Sequence, residues 1–138
     1  VVIEQIAFDT NIVIDILNGK LNAISFLKPN TKIYLPVTVC GELLFGARNS
    51  GKSQENEHKY REFIKYCEIL NINELIADQY ATTRKLLKSK GRPIPENDIW
   101  IAATCIVNNI ALLTYDTDFT YIKELILIDK NELFQPKT

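Results

Sequence analysis

Five carboxylates carry the chemistry of this 138-residue chain: Asp9, Glu42, Asp98, Asp116 and Asp118. Each stands at the edge of an apolar run. Asp9 ends Ile6-Ala7-Phe8, and Glu42 sits between Cys40-Gly41 and Leu43-Leu44-Phe45. Asp98 precedes Ile99-Trp100-Ile101-Ala102-Ala103, and Asp116 and Asp118 follow Ala111-Leu112-Leu113-Thr114. Charge so placed is poorly solvated unless it is paired or metal-bound. Several acids converging from core edges supply hard oxygen ligands for Mg²⁺ or Mn²⁺, the ions of phosphate chemistry. Alone, each acid has a plainer role: capping a turn, lying in a solvent stripe, or complementing a helix dipole. Together, at strand and helix ends, they point to one metal site. Carboxylates so close cannot all ionise without a cation, so one of them should hold its proton in the metal-free state.

The neighbours of these acids fit that reading. In Asp9-Thr10-Asn11 a hydroxyl and an amide flank the carboxylate and can fix its rotamer, and Thr114 lies just ahead of Asp116. Lys90 and Arg92 precede Asp98 and are candidates for holding substrate phosphates; Arg48 and Lys52 are weaker ones. Tyr115 is placed either to stack on a base or to pack on the sheet edge, and Asp15 is expected at the surface. The single histidine, His58, falls in a polar stretch expected to be an exposed loop, which argues against a two-histidine ribonuclease mechanism.

The whole chain sets broad bounds. It is long enough for one domain, residues 1–138, with a core built from its 46% hydrophobic residues. Sixteen basic and 17 acidic residues leave a net charge of −1, which does not describe a non-specific nucleic-acid coat. With four of the 17 acids in one site, 13 remain against 16 bases, so the surface around an acidic pit is able to be basic. Cys40, Cys67 and Cys105 are odd in number, widely spaced and set in apolar patterns, so free buried thiols and a cytoplasmic location are expected. No leader, membrane span or membrane partner is expected.

The elements that must position the acids follow from periodicity. Strands are expected at Val1–Phe8, Lys32–Leu35, Ile69–Ile72, Ala111–Thr114 and Leu125–Ile128. Helices are expected at Ile12–Leu17 (capped by Thr10 or Asn11), Leu21–Leu27, Thr38–Ala47 (capped by Thr38, with Gly41 allowing close approach), and Lys59–Cys67. Two more follow: one from the Asn73 cap through Leu87 towards Gly91, and one over Asp98–Asn108 with Pro95 at its start. Asn49–Glu57 reads as a surface loop. Short apolar strands alternating with helices imply an α/β fold on a parallel sheet, whose ligand site lies beyond the carboxyl ends of the strands. Asp9 and Asp116 fall there.

The chain resembles the PIN-domain family, in its VapC-type branch of toxins from toxin–antitoxin systems. The matching segments are Phe8-Asp9-Thr10-Asn11-Ile12, Pro36 through Gly41-Glu42-Leu43 to Gly46-Ala47, Gly91 through Asp98 with Ile101-Ala102-Ala103, and Leu113-Thr114 with Asp116-Thr117-Asp118-Phe119. The resemblance implies a three-layer α/β/α sandwich on a mostly parallel sheet of about five strands. It implies Mg²⁺ (or Mn²⁺) held by Asp9, Glu42, Asp98 and an acid from the Asp116–Asp118 turn, with Thr10, Asn11 and Thr114 in support. It also implies an endoribonuclease acting on RNA, a homodimer, and a cognate antitoxin partner. Joining the resemblance to the residues gives metal-dependent hydrolysis of RNA phosphodiesters, with Asp9, Glu42, Asp98 and Asp116 catalytic and Asp116 a more direct ligand than Asp118. The alternatives are a non-catalytic PIN-like module that binds RNA or protein and, more remotely, a phosphatase-like α/β domain, whose Asp-x-Asp form is missing at Asp9-Thr10-Asn11. Candidate dimer surfaces are Ile14, Leu17, Leu44, Phe45, Tyr80 and Leu87.

Overall fold

Strand β1 (Gln5–Phe8) is buried over almost all of its length: Ile6, Ala7 and Phe8 are inaccessible to solvent. Such a strand reads as a continuous apolar run, the mark of a sheet covered on both faces. The computed structural model describes residues 4–21 and 27–129. Within them β1 is joined by β2 (Lys32–Pro36), β3 (Glu68–Leu70) and β4 (Leu112–Leu113). The order is β3-β2-β1-β4, and every pairing is parallel. The chain thus moves outward from β1 through β2 to β3 and returns to place β4 on the other side of β1. This reversal makes a switch point between β1 and β4, where their carboxyl ends leave a crevice.

The fifth expected strand is reduced to one bridge, Leu112 with Leu127, fastened by Leu112 N–H to the Ile126 carbonyl (2.9 Å) and Ile128 N–H to the Leu112 carbonyl (3.0 Å). Residues 22–26 of the expected Leu21–Leu27 helix and the first three residues of the expected first strand lie outside the described residues.

Among the described residues, five helices flank the sheet: α1 (Thr10–Leu17), α2 (Val37–Arg48), α3 (Ser53–Tyr66), α4 (Glu74–Ser89) and α5 (Glu96–Asn108). Asp9 itself caps α1, accepting from the Thr10 amide, so neither Thr10 nor Asn11 is the cap. α2 begins one residue before Thr38, directly from Pro36, whose ring fixes the turn out of β2. Val39, Cys40, Leu43 and Ala47 form its buried stripe, while Gly41 and Gly46 are exposed, with open space beside both, so close approach is not their role.

The expected 49–57 loop is shorter than its polarity suggests, since Ser53 to Glu57 already belong to α3. That helix is polar on most faces and is supported by ion pairs one turn apart, Arg61 with Glu57 and Lys65 with Glu62. His58 therefore rides on a helix surface rather than in a loop.

α4 starts where Asn73 accepts from the Ile76 amide at 3.0 Å and stops at Gly91, whose φ of +67° suits glycine. α5 is entered from Pro95, two residues earlier than expected, and ends at Asn109 in the left-handed region. α4 and α5 lie together, with the Tyr80 and Trp100 rings stacked at 3.9 Å. The core gathers Ile6, Phe8, Ile12, Leu35, Leu43, Ile101, Leu112, Leu113 and Phe119 between sheet and helices. Cys40 and Cys105 are buried thiols, Cys67 is partly buried, and all three are free.

The Asn73 cap sets where α4 begins. Asn73→Ala should lower stability by about 0.5–2 kcal/mol, and Asn73→Asp should retain most of it. Chemical denaturation of the two variants checks this; equal midpoints would show that the cap contributes nothing.

Candidate active site

The parallel pairing of β1 with β4 delivers the acids to one place. Phe8 pairs with Leu113, and the Asp9 amide donates to the Leu113 carbonyl at 3.0 Å. The chains then diverge, Asp9 turning into α1 and Thr114 leading to Asp116. Across this crevice Thr114 Oγ1 donates to Asp9 Oδ2 at 2.6 Å, while the Asp116 amide donates to the same hydroxyl at 3.0 Å. Thr114 thus holds Asp9 on one side and the Asp116 turn on the other. The second Asp9 oxygen, Oδ1, accepts from the Thr10 amide at 2.8 Å.

The remaining acids arrive from helices. Glu42 projects from α2, and Thr10 Oγ1 donates to its Oε1 at 2.8 Å, which ties α1 to α2. Asp98 lies in the first turn of α5. Asp116 Oδ1 accepts from the Asp118 amide at 2.9 Å and so starts the short 3₁₀ helix Thr117–Tyr121. Asn11 reaches the same turn, its Oδ1 accepting from the Tyr115 amide at 3.4 Å.

The electrostatics reflect the crowding. Asp9 is only 5% exposed. Burial raises its pKa, the Thr114 and Thr10 hydrogen bonds oppose that rise, and the Asp116 charge adds to it. Asp98 is pushed up to about 7, first by burial, then by the charges of Asp9, Asp116 and Glu42, and by a hydrogen bond to Asp116. A neutral Asp98 carboxyl donating to the Asp116 carboxylate accounts for the last contribution.

Carboxylate oxygens of Asp98, Asp116 and Asp118 lie within 4.8 Å of one another. Oxygen–metal bonds of about 2.0–2.6 Å let one ion reach all three. The donor set fits Mg²⁺ or Mn²⁺: all ligands are hard carboxylate oxygens, and the surplus negative charge raises a carboxyl pKa where a cation would lower it. Asp9 and Glu42 stand outside this closest trio, yet near enough for both to act on Asp98.

Of the residues expected from the sequence, Asp9, Glu42, Asp98, Asp116, Asp118, Thr10, Asn11 and Thr114 are thus brought together. Lys90 and Arg92 occupy the loop between α4 and α5, where Arg92 lies over Tyr121, 4.7 Å from the ring centroid. Neither forms an ion pair among the described residues. Arg48 is engaged by Glu57 at 2.8 Å, which weakens its candidacy. Tyr115 is half-buried, and its hydroxyl is pushed up by burial and by a hydrogen bond to Asp15, so this ring packs at the sheet edge and Asp15 is no free surface acid. Tyr121 went unnoticed in the sequence; its signal was an aromatic three residues beyond Asp118, at the far end of the same turn.

A family model described as PIN domain matches residues 6–125. The chain is similar to Ribonuclease VapC2 of Rickettsia felis, 32% identical over 124 residues, covering 86% of this chain and 92% of that protein. It is 30% identical over 122 residues to Ribonuclease VapC1 of Haemophilus influenzae, covering 85% and 91%. The crystal structure of VapBC2 from Rickettsia felis, bound to a DNA fragment from their promoter, matches with a TM-score of 0.82 at 29% identity over 90% of this chain and 97% of that one. VapBC-1 from nontypeable Haemophilus influenzae matches with a TM-score of 0.80 at 28% identity over 91% and 97%.

The raised Asp98 pKa links the site to stability. Folded Asp98 keeps its proton to about pH 7, whereas the unfolded group loses it near 3.8. Between these values the folded state binds more protons, so the Asp98 contribution is full below pH 3.8 and is lost as pH rises through about 7. Thermal melts in chelator across this window should show a wild-type Tm that falls relative to Asp98→Asn. Parallel curves for the two proteins would contradict the shift.

Proposed function

This chain belongs to the PIN-domain family, and we propose that it is a Mg²⁺- or Mn²⁺-dependent endoribonuclease, the toxin of a toxin–antitoxin pair. The observation that carries this reading is the convergence of carboxylates: oxygens of Asp98, Asp116 and Asp118 lie within 4.8 Å of one another, with Asp9 and Glu42 near enough for their charges to act on Asp98. Five acids held at one sheet edge are poorly explained by a non-catalytic scaffold.

Asp98, Asp116 and Asp118 would hold the ion, with Asp9 and Glu42 beside them; Asp116 is the more direct ligand of the turn, and Asp118 completes the set. When bound, the ion supplies positive charge to the phosphodiester oxygens and lowers the pKa of a water. The protein's own contribution is positional. Thr114 fixes Asp9, Thr10 fixes Glu42, and Asn11 fixes the turn carrying Asp116. With the ion held, Asp98 would be an ionised ligand, because the cation offsets the charges that raise its pKa in the metal-free site. Lys90 and Arg92 would meet substrate phosphates.

Assembly follows the same reading. The named relatives in solved structures are VapBC complexes, which supports a cognate antitoxin as partner. A basic partner side chain suits the acidic pit, where an arginine would bond Glu42 or Asp98 in bidentate fashion. A homodimer in the cytoplasm is part of the proposal. Phe45, 69% exposed, remains available for contact, whereas Leu87, 2% exposed, belongs to the core and is not. No helix among the described residues is long and apolar enough to cross a membrane.

With Mg²⁺ or Mn²⁺ and single-stranded RNA, Asp9→Asn, Glu42→Gln and Asp98→Asn should each cut more than about 100-fold slower than wild type, and Thr114→Val about 10–100-fold slower. Circular dichroism should show all four folded. Cleavage at the wild-type rate by the three acid variants would refute the site. For assembly, light scattering should give twice the chain mass, and a co-expressed antitoxin should co-purify and suppress cleavage. A monomeric mass would remove the dimer, and a complex that cleaves at full rate would remove the inhibitory partner.

A further inference from the structure

The 3₁₀ helix that begins at the acidic cluster ends against a groove with a different chemistry. Thr83, Leu86, Leu87 and Lys90 of the α4 end face Tyr121, Ile122, Lys123 and Glu124 across about 290 Å³. Tyr121 remains 39% exposed although Arg92 lies over its ring and donates to its hydroxyl at 3.3 Å. Lys90, Arg92 and Lys123 form no ion pair among the described residues, and Glu124 is the one carboxylate lining the groove. A 3₁₀ rise of about 2 Å per residue places Tyr121 only about 6 Å along the axis from Asp118.

Resting on the ribonuclease reading, we propose that this groove is the subsite for a nucleotide flanking the cleaved phosphodiester, with Tyr121 stacking its base and Lys90, Lys123 and Arg92 holding adjacent phosphates. A cationic channel with an aromatic platform is how proteins bind single strands with little demand on sequence. Arg92 takes part twice, since a guanidinium plane stacked on a ring also presents its edge to phosphate. A second copy of the chain is a poorer occupant. Subunit interfaces are depleted of lysine at their centres, whereas here Lys90 and Lys123 line the groove together with the exposed ring. The same turn therefore joins the acids that cut to the ring that positions: Asp116 and Asp118 at its start, Tyr121 at its end.

The test measures binding and cutting separately. A labelled single-stranded RNA is titrated by anisotropy into Asp9→Asn protein, alone and combined with Tyr121→Leu, Tyr121→Phe, Lys90→Ala or Lys123→Ala, over a range of salt. Tyr121→Leu keeps apolar bulk in the groove and loses the ring; it should weaken binding roughly 5- to 100-fold with an unchanged salt slope. Tyr121→Phe should bind within about twofold of its parent, because the ring is retained. Each lysine variant should reduce the slope of log K against log salt by about 0.7. In the otherwise wild-type enzyme, Tyr121→Leu should raise KM and leave kcat nearly unchanged. If wild-type protein cuts RNA while Tyr121→Leu binds and cuts as its parent does, this subsite is wrong and the ribonuclease reading survives. If wild-type protein neither cuts nor binds RNA, the ribonuclease reading fails and this subsite with it. A shift from dimer to monomer in sedimentation of Tyr121→Leu, without loss of RNA affinity, would identify the groove as a subunit interface and overturn the proposal.

Discussion

The hydrogen bond from Thr114 to Asp9 joins two chain segments more than one hundred residues apart at the point where β1 and β4 cease to pair. Everything at the site refers to it. The hydroxyl donates to Asp9 and accepts from the Asp116 amide, so a single side chain sets the distance between the acid of the first strand and the acids of the last turn. It acts this way only because β4 lies beside β1 rather than beyond β3. In a parallel sheet that reversal opens the crevice, and the crevice is where side chains from separate connections meet without filling the core.

The arrangement works against the stability of the metal-free fold. Burial raises the pKa of Asp9 against its two hydrogen bonds, and Asp98 is driven towards neutrality by burial and then by the charges of Asp9, Asp116 and Glu42. The surrounding core offsets this: Ile6, Phe8, Ile12, Leu112, Leu113 and Phe119 are fully or almost fully buried around the same strand ends. Strain at a functional edge, carried by an apolar centre, is the pattern expected where local preference yields to chemistry. The helices serve the same end. α1 begins on Asp9, α5 presents Asp98 from its first turn, and α2 brings Glu42 to the Thr10 hydroxyl.

Much of this was legible in the chain. Short apolar runs ending in Asp9 and Thr114 betrayed buried parallel strands, and their order made a site at the carboxyl edge the natural expectation. What escaped had physical reasons. Ser53–Glu57 is too polar to announce a helix by apolar periodicity; the available signal was the one-turn spacing of Glu57 with Arg61 and of Glu62 with Lys65. Pro36 displaced Thr38 as the start of α2 because a fixed φ ends a strand without any side-chain cap. Leu125–Ile128 has strand composition yet, among the described residues, makes one bridge, Leu112 with Leu127. Leu87, assigned to the surface by its place in an amphipathic helix, is covered by the chain's own core. The partnership of Arg92 with Tyr121 spans 29 positions and carries no local signature.

The central claim is that crowded carboxylates form a cation site whose charge is relieved by protonation when no cation is present. Calorimetric titration of Mn²⁺ at pH 7, repeated in buffers of different ionisation enthalpy, measures both binding and the protons it displaces. The account predicts saturable binding with release of about half a proton per ion, because Asp98 titrates close to that pH. Asp98→Asn should abolish the release. Mn²⁺ that does not bind, or that binds without displacing any proton, would contradict it.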